Sequence, residues 1–128
     1  MSNVPEEAAA LLRGTRVMAH LATCVDGRPH VAPVWYVYDE GVVQLTTGGR
    51  KLANLRANPR VALSFQKDVD GDTEWTVTVL GTATVVEDDA QFRAVNARIN
   101  EKYGADSDAH ADNTLVRVDA GSASSRTY

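Results

Sequence analysis

Cysteine is nearly absent: Cys24 is the only one in 128 residues. No disulfide can therefore form within the chain, and a small disulfide-stapled fold is excluded. Positive charge is also scarce. Thirteen Lys and Arg against seventeen Asp and Glu leave a formal net charge of −4. A nucleic-acid scaffold carries a basic surplus, so no nucleic-acid partner is expected. No apolar run approaches the roughly 18 residues of a spanning helix, so no membrane partner is expected either. The first residues lack the basic start and apolar core of a signal peptide. Together these absences give the expectation of a cytoplasmic protein. Nucleophile elbows of the Gly-x-Ser-x-Gly type, a Walker lysine motif and a zinc-type ligand cluster are missing as well.

What is present is ordinary for a folded domain: 44% hydrophobic and 23% charged residues. The length supports one hydrophobic core, and residues 1–128 read as a single domain. Residues 5–13, "PEEAAALLR", predict a short helix, with Pro5 at its start, Glu6 and Glu7 in the first turn and Gly14 at its end. A series of β-type runs follows. "RVMAHLATCV" (16–25) is apolar on both faces, with His20 and Cys24 read as core residues. Asp26-Gly27 predicts a hairpin turn, and "RPHVAPVWYVY" (28–38) a second strand. Asp39-Glu40-Gly41 turns again into "VVQLTT" (42–47).

A helix over 48–57 is stopped at Asn58-Pro59, and "RVALSFQ" (60–66) resumes as strand. "KDVDGDTE" reads as a polar hairpin loop centred on Asp70-Gly71; its glycine is misplaced for a calcium loop. "WTVTVLGTATVVE" (75–87) is a long β segment with Gly81 as a bulge. Asp88 and Gln91 have capping-box spacing before a helix over 89–103, and Gly104 ends it. "ADSDAHADN" reads as a solvated loop with His110 exposed, and "TLVRVDA" as the last clear strand. About six short strands in mostly antiparallel order, with two to three short helices, predict a small closed or split β-barrel.

One stretch is out of keeping with helix electrostatics. In "TTGGRKLANLRANPR", the first turn of the helix carries Arg50 and Lys51. A helix N-terminus is already positive and favours acids. The arrangement is explained if the missing negative charge comes from a ligand. Gly48 and Gly49 let an anion approach the main chain, and Thr46 and Thr47 add hydroxyl donors. Arg50 offers a bidentate contact and Lys51 a point charge. A solvated helix start after a Gly-Gly turn is the alternative.

The ordered set from Ala22 to Phe65, "ATCVDGRPHVAPVWYVYDEGVVQLTTGGRKLANLRANPRVALSF", resembles the pyridoxamine 5′-phosphate oxidase-like split-barrel superfamily, and within it the flavin/deazaflavin oxidoreductases. The resemblance implies a homodimer of split β-barrels, with two cofactors in grooves between the subunits. It implies that Arg50 and Lys51 hold the cofactor phosphate, with Thr46, Thr47 and Gly48 beside them. The backbone of Ala32, Pro33, Val34 and Trp35 would lie along the tricyclic ring. His30 and Gln44 are candidate ring-side donors. Trp35, Tyr36 and Trp75 would line the substrate pocket or dimer seam, or pack in the core. The C-terminal Trp and paired arginines of true pyridoxamine phosphate oxidases are missing, with only Arg117 and Arg126 there, so vitamin B6 oxidation is not expected.

The implied function is hydride transfer to or from a small organic substrate, with FMN as cofactor or, alternatively, the deazaflavin coenzyme F-420. Such chemistry needs no side-chain nucleophile, since the ring carries it. The deazaflavin bears an acidic tail, for which Arg56 and Arg60 are candidate partners. Two competitors stay open. A haem- or tetrapyrrole-binding split barrel would need His20, His30 or His110 to face the groove, and a structural dimer would have an empty one.

Overall fold

The computed structural model describes residues 2–128. Three tight turns lay out its hairpins. At Asp26-Gly27, Glu40-Gly41 and Asp70-Gly71 both residues have positive φ, between 44° and 86°. That is the backbone of a two-residue turn whose twist matches the flanking strands, and it is why glycine holds each second position. These turns pair β1 (Ala19–Val25) with β2 (Arg28–Val34), β3 (Val37–Asp39) with β4 (Val42–Thr47), and β5 (Arg60–Val69) with β6 (Asp72–Val86). With β7 (Thr114–Thr127) they form one seven-stranded antiparallel sheet, in the order β2-β1-β5-β6-β7-β4-β3.

The sheet has to curl. Its two outermost strands, β2 and β3, are joined only by Trp35 and Tyr36. The three steps from Val34 to Val37 span at most about 11 Å even when extended, so the two edges of the sheet are held close together. The result is a split β-barrel. Its interior is filled by inward-facing residues such as Leu21, Tyr36, Leu45, Phe65, Val79 and Val118, all below 2% exposed. The Tyr36 hydroxyl donates to the Leu12 carbonyl at 2.9 Å, fastening α1 (Glu6–Arg13) to the barrel.

Two further helices flank the barrel. α2 (Gly49–Ala57) leaves β4 directly and buries Leu55. Its Asn54 amide donates to Thr23 Oγ1 at 3.1 Å, and Asn58 donates to the Cys24 carbonyl at 2.8 Å. α3 (Asp89–Tyr103) begins with the Asp88 carboxylate accepting from the Gln91 amide at 2.9 Å, and ends at Gly104 in the left-handed conformation, φ 74°. Its inner face sets Val95, Ile99 and Tyr103 against Val37 and Leu115.

Three expectations are corrected and one segment is newly assigned. β1 begins at Ala19 and alternates, so Ala19, Leu21 and Thr23 face inward while His20 is exposed. The run 28–38 is two strands, because the chain crosses the barrel seam at Trp35-Tyr36. "KDVDGDTE" is not a loop: β5 and β6 pair to within two residues of each other, with a bulge at Lys67/Asp68. The C-terminal tail continues β7, pairing Ser122–Thr127 with Trp75–Leu80 across a register shift at Leu80/Gly81. No described helix is long and apolar enough to cross a membrane.

Candidate functional site

A groove of about 610 Å³ opens where three segments meet: the end of β2, the β4–α2 junction, and the loop after α3. The first segment supplies Pro33, Val34 and Trp35. Trp35 stacks on Tyr103 of α3, and the Tyr103 hydroxyl donates to the Val17 carbonyl at 2.6 Å. The apolar wall is therefore held from both sides. Burial of Tyr103 pushes its hydroxyl up to about 12, so it stays a neutral donor across the physiological range.

The second segment supplies Thr46, Thr47, Gly48, Gly49 and Lys51. Gly48 is extended at φ −152°, and Gly49 takes the left-handed value of φ 58°. A side chain at Gly49 would be strained by that backbone angle. The helix that follows has no side-chain cap and no acid in its first turn. Its leading amides are thus open to an anion, with Lys51 beside them. Lys51 forms no ion pair among the described residues.

The third segment, residues 105–113, closes the groove's far side. Most of its residues are exposed, His110 among them, as its composition indicates, but side-chain amides tie it down. Asn96 and Asn100 both donate to the Ala109 carbonyl, at 2.8 and 2.9 Å. Asn113 donates to Thr46 Oγ1 at 3.3 Å, linking the loop to β4. His110, at φ 62°, rests edge-on against Trp35 with ring centroids 5.3 Å apart. Asp112 adds one negative charge to the lining.

The structure brings together Pro33, Val34, Trp35, Thr46, Thr47, Gly48 and Lys51 of the residues expected from the sequence. Four others lie elsewhere. Arg50 is exposed and outside the groove lining, one step round the helix from Lys51. His30 and Ala32 are half-buried farther along β2, with His30 Nδ1 buried and unpartnered. Trp75 is drawn into the barrel core at 4% exposure, because its position on β6 has inward parity.

Gln44 is spoken for as well: it donates to Asp39 and accepts from Arg117. Arg56 is engaged by Glu87, and Arg60 lies at a separate cavity beside Leu80. Of the three histidines only His110 lines the groove. Sequence reasoning missed Asn100 and Asn113, and named His110 only as a candidate haem ligand. A cluster of asparagines around a polar loop was the available signal, but its partners are distant in the chain.

The family model described as pyridoxamine 5′-phosphate oxidase matches residues 4–125. No curated protein matches. Among solved structures, a conserved hypothetical protein from Mycobacterium tuberculosis superposes with a TM-score of 0.81 at 29% identity, covering 99% of this chain and 85% of that one. An F420 reductase gives 0.74 at 27% identity, covering 90% of this chain and 94% of the other. A FAD-binding protein from Mycobacterium smegmatis gives 0.68 at 25% identity, covering 96% and 95%.

Proposed function

The chain belongs to the pyridoxamine 5′-phosphate oxidase family, and on that premise we propose that its groove holds FMN or, alternatively, the deazaflavin coenzyme F-420, for hydride transfer to or from a small organic substrate. One observation carries this reading. An uncapped helix start with a left-handed glycine and an unpaired lysine occupies one end of a groove whose other wall is Pro33, Val34 and Trp35. The first end suits a phosphate, and the apolar wall suits a flat ring. The names of two structural neighbours, an F420 reductase and a FAD-binding protein, support the same cofactor class.

When bound, the ring supplies the hydride chemistry. The protein's own share is positional. Lys51 and the α2 amides fix the phosphate end, and the Trp35–Tyr103 stack holds the wall that faces the ring. Loop 105–113 keeps water from the far side. The working unit is a homodimer: Val31 on the β2 edge is 65% exposed and Met18 at the groove mouth 36%, apolar surface that a second copy would cover.

Titration of cofactor-free protein with FMN and with F-420, followed by fluorescence, tests the proposal. Saturable quenching at one ligand per chain supports it. No response to either, or a Soret band after haem addition through His110, overturns it.

A further inference from the structure

The groove wall contains two side-chain oxygens without a hydrogen-bond partner among the described residues, Thr47 Oγ1 and Asn100 Oδ1. Thr47 is 2% exposed and Asn100 fully buried. Buried polar atoms are almost always paired, and leaving one unpaired is costly. Two on one groove wall need an explanation.

Asn100 is the more informative. Its Nδ2 faces two carbonyls, Ser107 O at 3.3 Å and Ala109 O at 2.9 Å. Only the amino end of the amide can serve two acceptors, so the orientation is fixed and Oδ1 is left as a pure acceptor. A phosphate oxygen or a ring carbonyl cannot satisfy it, because neither donates. It requires an O–H or N–H. The Thr47 hydroxyl belongs to the residue just before the Gly48-Gly49 turn, so it borders the end suited to phosphate. Asn96, one helical turn before Asn100, lies 3.4 Å from Thr46 Oγ1, which places this face of α3 against the same end of β4.

We propose that Asn100 Oδ1 and Thr47 Oγ1 bind the hydroxylated chain that joins ring to phosphate in the cofactor. The inference rests on the cofactor reading above and deepens it. Asn100 selects a ligand with donor hydroxyls next to its phosphate, and Thr47 bridges between hydroxyl and phosphate. Both oxygens are closed to solvent, so a ligand reaches them through a small opening of the wall. FMN and F-420 share this hydroxylated chain.

The test compares FMN with its trideoxy analogue, in which a pentyl phosphate replaces the ribityl phosphate. Both are titrated into wild type, Thr47→Val and Asn100→Leu. Wild type is expected to prefer FMN by tenfold or more, and each variant to lose most of that preference, since each bond contributes on the order of a fivefold to tenfold effect. Thr47→Val is also expected to melt at or above the wild-type temperature, because it removes an unpaired buried hydroxyl. A structural role for that hydroxyl would lower it.

Should Asn100→Leu fail to fold, Thr47→Val alone decides. Wild type binding both ligands equally, or variants that keep the full preference, overturns this inference and leaves the cofactor reading standing. Wild type that takes only F-420 is tested with the same variants, and undiminished affinity overturns the inference. Wild type that binds neither cofactor overturns both.

Discussion

Trp35 lies flat on Tyr103, with ring centroids 4.8 Å apart and planes 2° from parallel. Trp35 sits at the barrel seam between β2 and β3, and Tyr103 is the last residue of α3. The stack is thus the link between the sheet edge and the helix that frames the groove. Trp35→Ala is expected to cost about 2 kcal/mol, below the range for a fully buried aromatic because Trp35 is half-exposed to the groove. Trp35→Phe keeps a stacked ring and is expected to lose about half that. Urea unfolding midpoints measure both, and equal stability of Ala and Phe variants would count against the stack.

Gly81 has a second kind of constraint. A Cβ built there would stand 2.4 Å from the Asp119 carbonyl oxygen, a backbone atom that cannot swing aside. The register shift between β6 and β7 falls at the same place. Gly81→Ala is expected to destabilise by about 1–3 kcal/mol through overpacking. Gly27→Ala meets open space but sits at φ 75°, so its cost is conformational and about 1 kcal/mol. Thermal unfolding of the two variants gives the ranking.

Lys102 is the group with the clearest pH consequence. Its amine lies 3.6 Å over the Tyr36 ring and donates to the Tyr36 carbonyl at 2.9 Å. Burial lowers its pKa from 10.5 to about 8. The penalty of holding a charged amine there is complete below pH 8. As pH rises above 8 the unfolded chain binds more protons than the folded one, so stability rises. Tyr36 and Tyr103, both raised by burial, act in the opposite sense near and above the ordinary tyrosine value of 10.0, which limits the window to between 8 and about 9.5. Lys102→Met is expected to flatten the rise. Unfolding midpoints taken across that window check it, and an equal slope in wild type and variant would refute it.

The features legible in the sequence were those set by neighbouring residues. Acid-Gly pairs fixed three turns because two consecutive positive φ values favour that chemistry. Asp88, Gln91 and Gly104 bounded α3 because caps are local. The Gly48-Gly49 turn and the charge after it pointed to one end of the groove.

Less legible were features that depend on closure of the barrel. "PVWYV" reads as continuous strand, and only the meeting of two sheet edges breaks it at Trp35-Tyr36. His20 was placed on the wrong side, and Trp75 was left open between groove and core, because a strand's facing parity depends on register, which composition does not supply. Loop 105–113 is the solvated segment its composition indicates; how it is tied down was not legible. Its anchors, Asn96 and Asn100, are a helix turn or more away and look like surface residues until Ala109 is folded back onto them.

The central claim is that Lys51 at the uncapped start of α2 meets a phosphate. Isothermal titration of FMN, and of F-420, into wild type, Lys51→Ala and Arg50→Ala tests it most directly. Lys51 lines the groove and Arg50 does not. Lys51→Ala is therefore expected to lose about 1.5–3 kcal/mol of binding, the magnitude of a charge-assisted hydrogen bond, while Arg50→Ala changes affinity little. Both variants should keep wild-type stability within about 0.5 kcal/mol. Full affinity for the cofactor in Lys51→Ala would contradict the account.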